Sequence, residues 1–241
     1  MTLENSKITQ LFEVNDNLIS IGYNCFFCKF IKTKLKIKKE TFFFDNIGTS
    51  MWSINELLLN DFEDFFLPIN YQQIQIKNNE NVNFLSNIKY YLRFKHDLTI
   101  DDFNNKGKYN GKYFTNFLTT YLRRKNRLYE LLTTCKKVIF LRLEEDNIDR
   151  IIYPEYEDKL KNTEFENLLI FTEIIKKKFP NLSFNVIFIS RTMETNIYTL
   201  NNIIILNTGI YKVIDWIKSH DELESIFLSN FEYIKKFIKM K

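Results

Sequence analysis

Histidine and cysteine are scarce in this chain, which has two histidines and three cysteines among 241 residues. An odd number of cysteines, without the basic and apolar pattern of a secretory leader at the N-terminus, argues against a disulfide framework. It predicts a reducing, cytoplasmic compartment. His96 and His220 are the whole supply of imidazole, so any mechanism that needs a histidine has two candidates.

Glycine and proline are also rare, with 5 and 3 residues, and no linker rich in Pro, Gly or Ser and no internal repeat divides the sequence. We therefore expect a single domain over residues 1–241. A run of 18 apolar residues is missing, so the sequence predicts no membrane span.

The chain has no large excess of charge of either sign. Its net charge is +4 with a pI near 8.7, which is mildly basic and gives no reason to expect a nucleic-acid partner. The lysine-rich stretch over residues 29–39 is typical of a solvated helix end, and a phosphate-binding surface is the alternative. Abundant Lys, Asn, Ile, Phe and Tyr, whose codons are A/T-rich, fit an A/T-rich genome such as that of a large DNA virus.

Apolar runs that predict strands alternate with helical patterns. The strands are expected at Leu18–Ile21, Thr41–Phe44, Val138–Leu143, Phe184–Ile189 and Ile203–Leu206, with further strand-like stretches between residues 69 and 95. Helices are expected from Cys25 to Leu35, near Met51–Asn60, along residues 114–132, after Thr163, and after a capping box at Ser219-x-x-Glu222. The alternation predicts an α/β domain with a mostly parallel central sheet of about five or six strands and helices on both faces.

Cys25 follows the first predicted strand. Gly22 allows a tight turn there, and a helix is expected to begin at Cys25. A thiol in the first turn of a helix faces the positive end of the helix dipole, which favours the nucleophilic thiolate. The alternative is a small buried cysteine that fills a gap in the core.

Other polar residues follow predicted strands in the same way. Asp45 follows the second strand, His96 follows the strand that ends near Phe94, and Glu144 follows Val138–Leu143. Ligands of open α/β sheets bind beyond the carboxyl ends of the strands. If these strands are parallel, we expect Cys25, Asp45 and His96 to meet at one edge of the sheet.

Several of these motifs, in this order, resemble a family of papain-like cysteine peptidases whose function is not established. The matching residues are Gly22 and Cys25, Phe44-Asp45, His96-Asp97, Arg123-Arg124-x-x-Arg127 and the strand Val138 to Arg142. The resemblance covers residues 18–143. Phe43 and Asn46 depart from it, because the family has Pro and Trp there.

The resemblance and the residue chemistry together suggest a thiol hydrolase or acyl transferase that needs no metal or other cofactor. Cys25 would be the nucleophile and His96 its acid-base partner, since His220 lies next to a predicted helix cap. Asp45 would orient the imidazole, with Asp97 as the alternative. Peptides, isopeptides and acylated sugars are all candidate substrates.

The chemistry of the residues beside Cys25 and the arginine motif of the family suggest groups that bind the substrate. Asn24 and the backbone N–H of Cys25 are candidates for stabilising an oxyanion. Arg123, Arg124 and Arg127 would bind an acidic group of the substrate, although such residues more often form a solvated helix face.

Three other functions fit the same residues. Cys25 and Cys28 form a Cys-x-x-Cys pair at a strand-to-helix junction, as in thiol-disulfide redox proteins. Cys25, Cys28, His96 and Cys135 have ligand chemistry for zinc, but the sequence lacks a second paired-ligand motif. A non-catalytic protein could bind a phosphate or sugar-phosphate at the helix N-terminus.

Overall fold

The computed structural model describes residues 10–12, 17–22, 25–35, 40–76, 82–94, 111–144, 162–190, 197–207 and 216–239. Within these ranges, the side chains of residues 25–27, 75–76, 82–84, 207 and 216–220 are not described.

The elements of these ranges follow one another as strands and helices. The strands are β1 (Asn17–Ser20), β2 (Tyr71–Ile76), β3 (Val82–Asn87), β4 (Leu92–Phe94), β5 (Lys137–Leu143), β6 (Ser183–Ser190), β7 (Ile197–Leu200) and β8 (Ile203–Asn207). The helices are α1 (Cys25–Phe30), which continues as a π-helical turn over Ile31–Leu35, α2 (Met51–Leu59), α3 (Gly111–Thr134), α4 (Glu164–Lys178), α5 (Trp216–Ser229) and α6 (Phe231–Lys239). Short 3-10 turns lie at Glu63–Phe66 and Pro68–Asn70.

The central sheet has the strand order β1-β5-β6-β8-β7 among the described residues. Strands β1, β5, β6 and β8 are mutually parallel. At the edge, β7 pairs with β8 in the antiparallel direction. β5 and β6 are buried along almost their whole length, as apolar runs in a sheet covered on both faces should be. The predicted mostly parallel sheet is confirmed.

Helices cover both faces of this sheet, as predicted. Side chains of β1, β5, β6 and β8 alternate between two apolar clusters because successive residues of a strand point to opposite faces. One cluster includes side chains of α2, α3 and α4, and the other includes side chains of the turn after α1 and of α5 and α6. The chain is a single α/β domain. No helix within the described ranges is both long and apolar enough to span a membrane.

The stretch between residues 69 and 95 forms a separate antiparallel sheet, in the order β2-β3-β4. The strand that ends at Phe94 therefore does not belong to the parallel sheet, and the condition under which His96 would share an edge with Cys25 is not met. Phe94 instead packs in an aromatic cluster, with its ring centroid 5.0 Å from that of Phe117 and 5.2 Å from that of Tyr121. These contacts anchor the second sheet on α3.

The predicted strand at Thr41–Phe44 is also wrong, because this segment forms a turn. The carboxylate of Asp45 accepts a hydrogen bond of 2.6 Å from the backbone N–H of Phe42, which is a local alternative to strand pairing. The Phe43 ring packs on Phe62 and Phe65 at centroid distances of 4.5 and 4.8 Å. The apolar run is thus buried through its side chains.

One predicted helix start is confirmed and another is shifted. Thr163 caps α4 in a full capping box with Glu166, through hydrogen bonds of 3.1 and 2.6 Å. The last part of the chain differs, because α5 begins at Trp216 and the expected cap, Ser219, lies inside the helix. His220 is therefore not at the helix start.

Candidate functional site

The predicted strand before Cys25 and the predicted helix start at Cys25 are confirmed. β1 ends at Ser20, the N–H of Ile21 still donates to the carbonyl of Leu141 at 3.0 Å, and α1 begins at Cys25. Gly22 makes the turn with a φ of +75°. The backbone N–H of Cys25, in the first turn of α1, has no partner within the helix. The Cys25 side chain and Asn24 lie outside the described part of the structure.

Gly22 is needed at this turn because the space beside it is filled. A Cβ atom at Gly22 would lie 2.1 Å from Cγ2 of Thr49 and 3.2 Å from Nη1 of Arg142. Thr49 precedes Ser50, which caps α2 by accepting a hydrogen bond from the N–H of Ser53. The turn before Cys25 therefore packs against the segment that links Asp45 to α2.

Asp45 is fully buried, as its three preceding phenylalanines predicted. Its Oδ2 atom accepts the hydrogen bond from the N–H of Phe42. Burying a polar group without a hydrogen-bond partner is costly, so the N–H that this turn supplies offsets part of the cost of burying Asp45. The sequence predicted this burial, but the expected strand before Asp45 is absent.

The segment after Asp45 pairs with Arg93, the middle residue of β4. Gly48 and Arg93 form an isolated antiparallel bridge, with two hydrogen bonds of 2.9 Å between their backbones. A Cβ atom at Gly48 would lie 2.9 Å from Nε of Arg93. His96 and Asp97 follow β4 and lie outside the described residues.

The segments before Asp45 and His96 are therefore not parallel strands of the central sheet, so the condition for a shared edge is not met there. Asp45 follows a turn, and β4, the strand before His96, belongs to the second sheet. The structure offers a different connection. Gly22 contacts Thr49, and Gly48 pairs with Arg93, so the segments that lead to Cys25, Asp45 and His96 meet through these neighbours.

An ion pair between a buried arginine and a partly buried glutamate, which the sequence reasoning missed, lies beside Gly22. Arg142 on β5 is fully buried and binds Glu164, the first residue of α4, with its Nη2 atom 2.8 Å from Oε2 of Glu164. Nη1 donates to the carbonyl of Ile21 at 2.8 Å, and Nη2 donates to the carbonyl of Thr49 at 2.9 Å. An arginine inside an apolar strand was the available signal, because a buried charge requires a partner.

A second polar pair lies where β5 and β6 end. The hydroxyl of Ser190 donates to Oε2 of Glu144 at 2.8 Å, and the N–H of Glu144 donates to the carbonyl of Ile189 at 2.9 Å. Glu144 is only 9% exposed. The sequence marked Glu144 as a residue at this edge, but Ser190 was part of an apolar run and gave no signal of its own.

The arginines of α3 have different environments. Arg123 and Arg127 line a groove of about 620 Å³ between α3 and the segment before Asp45. Arg127 donates to the carbonyl of Thr41 at 2.9 Å and lies 3.5 Å from the carboxylate of Glu40. Arg124 instead stacks over the ring of Tyr121, with 4.7 Å from Cζ to the centroid. The groove is further lined by Phe42, Thr119, Leu122, Asn126, Glu130, Leu131 and Thr134.

The other two cysteines lie in different places. Cys28 is buried one helical turn after Cys25. Cys135 precedes β5, and its Sγ accepts a hydrogen bond of 3.2 Å from Nδ2 of Asn17, the first residue of β1. Burial raises the pKa of the Cys135 thiol, although a hydrogen bond with the Thr134 side chain opposes the shift. Cys135 is thus at the amino ends of the strands, whereas Cys25 follows the carboxyl end of β1.

This separation counts against a zinc site that would combine Cys135 with Cys25 and Cys28. In the part of the chain that the structure describes, no group of three or more His, Cys, Asp or Glu residues is placed to hold a metal ion.

Comparison with known proteins identifies the family. Neither a curated protein nor a solved structure matches the chain. A family model described as "Putative papain-like cysteine peptidase (DUF1796)" matches residues 16–193. The match covers most of the chain and extends beyond the residues that showed the resemblance, as far as β6 and its Ser190. The chain therefore belongs to this family.

Proposed function

We propose that this protein is a thiol hydrolase or acyl transferase in which Cys25, His96 and Asp45 form the catalytic group. The observation that carries the proposal is the contact of Gly22 with Thr49 together with the pairing of Gly48 with Arg93. Cys25, Asp45 and His96 each lie three residues from one of these contacts. Three residues span about 11 Å at most, so these contacts allow the three side chains to meet, and their meeting is part of the proposal.

The first half of the reaction would form a thioester. The thiolate of Cys25 attacks the carbonyl carbon of an amide or ester, and the π electron pair moves to the oxygen. The N–H of Cys25 and the side chain of Asn24 would donate hydrogen bonds to this oxyanion. When the tetrahedral intermediate collapses, the amine or alcohol leaves with a proton from the His96 imidazolium, and the acyl group stays on sulfur.

The second half would release the acyl group. Neutral His96 accepts a proton from water, and the resulting hydroxide attacks the thioester and restores the Cys25 thiolate. In acyl transfer, an amine or alcohol replaces water in the same step. Asp45 would accept the other imidazole N–H and so hold the ring in orientation. The burial of Asp45 suits this role, because a side chain held inside the protein keeps a fixed orientation.

The groove beside α3 is a candidate site for an acidic part of the substrate. Arg123 and Arg127 line it, and its other wall, Glu40 to Phe42, leads along the chain to Asp45. A guanidinium binds a carboxylate or phosphate through paired hydrogen bonds. Peptides, isopeptides and acylated sugars all carry the bond that the proposed chemistry cleaves.

Labelling with electrophiles tests the proposal. The full chain and its Cys25→Ala and His96→Ala variants are treated with iodoacetamide and with a vinyl sulfone at pH 7, and modification of each cysteine is followed by mass spectrometry. His220→Ala is the matched control. We expect Cys25 to react at least about 10-fold faster than Cys135, because an activated cysteine is largely thiolate at this pH. His96→Ala should remove this advantage, and His220→Ala should not.

Labelling, together with a mild oxidation of the wild type, separates the other candidate functions. Equally slow labelling of all three cysteines would contradict an activated nucleophile and favour an anion-binding protein. Rapid formation of a disulfide between Cys25 and Cys28 under mild oxidation would instead favour the redox function.

A further inference from the structure

The guanidinium of Arg142 joins three separate parts of the chain. It donates to the carbonyl of Ile21 in the turn before Cys25, to the carbonyl of Thr49 after Asp45, and to the carboxylate of Glu164 on α4. Nη1 donates to Ile21 and Nη2 donates to Thr49. Both Nη2 and Nε donate to Oε2 of Glu164, at 2.8 and 3.2 Å. Arg142 itself is fully buried.

Glu164 extends this arrangement to a fourth element. Its second carboxylate oxygen, Oε1, accepts a hydrogen bond of 2.8 Å from the N–H of Met51, the first residue of α2. Glu164 therefore neutralises Arg142 and holds the start of α2 at the same time. Because the pair carries no net charge, its effect on the neighbouring turn comes mainly from the directions of its hydrogen bonds.

Stability alone is a poor explanation for this pair. Replacing a buried ion pair by apolar residues of similar volume is often neutral or stabilising, because removing two charges from water is costly. The two carbonyls that Arg142 binds belong to the two segments whose relative position matters for the proposed chemistry. A planar guanidinium can direct several hydrogen bonds at fixed angles, which a lysine ammonium cannot.

We propose that Arg142 is a positioning residue, which fixes the turn before Cys25 relative to the segment after Asp45, and that Glu164 holds Arg142 in the required orientation. The role in reactivity rests on the proposed function of Cys25, His96 and Asp45. The clamp, by which we mean the hydrogen bonds of Arg142 to the carbonyls of Ile21 and Thr49, does not depend on the proposed function. If the two segments moved apart, Cys25 and His96 would no longer be held close to each other, although every catalytic side chain would still be present.

Hydrogen exchange tests the clamp without reference to any reaction. Arg142→Lys keeps the positive charge but loses the planar guanidinium and its several donors. Glu164→Gln keeps the shape of the side chain. At least one of the two variants should therefore fold. Glu173→Gln, on the exposed face of the same helix, is the control. We expect faster amide exchange in residues 17–30 and in residues 45–58 of both variants, with unchanged exchange in residues 71–87. Faster exchange in only one of the two segments, or in neither, would overturn the clamp.

Labelling of Cys25 with iodoacetamide tests the role in reactivity. A positioning role predicts that Arg142→Lys lowers the rate of Cys25 labelling at pH 7 by about 10-fold, as His96→Ala does. It also predicts that Cys25 in the double variant is labelled no more slowly than in His96→Ala alone. It also predicts that the midpoint of the rate-pH curve rises, which lower stability alone would not cause. Unchanged labelling in Arg142→Lys, or additive effects in the double variant, would overturn the role in reactivity. If Cys25 of the wild type is labelled no faster than Cys135, the proposed function fails. The hydrogen-exchange result still shows whether Arg142 holds the two segments together.

Discussion

Gly22 and Thr49 lie in contact, so that a Cβ atom on Gly22 would be 2.1 Å from Cγ2 of Thr49. The turn before Cys25 and the segment after Asp45 are therefore packed without space for one methyl group. This contact, made between residues 27 positions apart in the sequence, brings together the two segments on which the proposed chemistry depends.

We expect Gly22→Ala to destabilise the protein by about 2–4 kcal/mol. The left-handed backbone at Gly22, with its φ of +75°, contributes about 1–2 kcal/mol of this loss, and the clash with Thr49 contributes the rest. Denaturant unfolding measures the change. Gly111→Ala is the control, because a Cβ atom at Gly111 meets nothing within 4 Å, and its stability should change by less than about 1 kcal/mol.

The double variant Gly22→Ala with Thr49→Ser separates the two causes. Serine lacks the Cγ2 atom but keeps the hydroxyl, which donates to the carbonyl of Ser50 at 3.1 Å. We expect the double variant to recover the part of the unfolding free energy that Gly22→Ala loses through the clash with Thr49. The part lost through the left-handed backbone should remain. A double variant no more stable than Gly22→Ala alone would show that the backbone conformation accounts for the whole effect.

Asp45→Ala should destabilise the fold by about 1–3 kcal/mol, since it leaves the N–H of Phe42 without its buried acceptor. Asp45→Asn retains an acceptor oxygen, so its loss should be smaller. If Asp45 orients His96, both variants should slow the labelling of Cys25. Normal labelling in a well-folded Asp45→Asn variant would contradict that role.

Asp61 gives a prediction for pH dependence. Its pKa is lowered, mainly by the hydrogen bond from Lys178 and also by the one from the Tyr129 hydroxyl. A lowered pKa in the folded state means that the stabilisation is present above the unfolded pKa, about 4, and is lost as the pH falls through the folded pKa. Asp61→Asn, which tolerates the left-handed backbone there, should cost about 0.5–1 kcal/mol at pH 7, because the side chain is mostly exposed. The difference from the wild type should disappear in strong acid.

Cys135 provides the internal standard for thiol labelling. Because burial raises its pKa, its rate with iodoacetamide should be low at neutral pH and should still be rising above pH 8.5, roughly the ordinary thiol value. A rate-pH midpoint of Cys135 below that of a free cysteine would contradict this expectation. The midpoint of Cys25, measured in the same samples, should lie well below that of Cys135.

The groove predicts a preference for acidic substrates. Two vinyl sulfone peptides that differ only by Glu in place of Gln are compared as labels of Cys25. We expect the wild type to react up to about 10-fold faster with the acidic probe, the size of one charge-assisted hydrogen bond. Arg123→Gln should remove the preference, and Lys176→Gln on the exposed face of α4 should leave it. Equal rates of the two probes with the wild type would refute the binding site.

The sequence by itself determined the elements whose signals are local. The apolar run and glycine around Cys25 predicted a strand, a positive φ at Gly22 and a helix start at Cys25, and all three are present. Thr163 and Glu166 predicted the start of α4, because a capping box needs only residues three apart. The continuous apolar strands β5, β6 and β8 predicted a buried parallel sheet, since only a sheet covered on both faces accepts them.

Only the tertiary structure decided which segments pair. Phe42 to Phe44 has a strand-like composition, but Asp45 closes a turn there and the rings enter an aromatic cluster instead. Partner choice depends on the burial of side chains that are distant in sequence, and propensity does not encode it. The same holds for Arg142, whose partners Ile21, Thr49 and Glu164 come from three separate segments. A buried arginine predicts that partners exist, whereas the packing of the whole domain determines which residues they are.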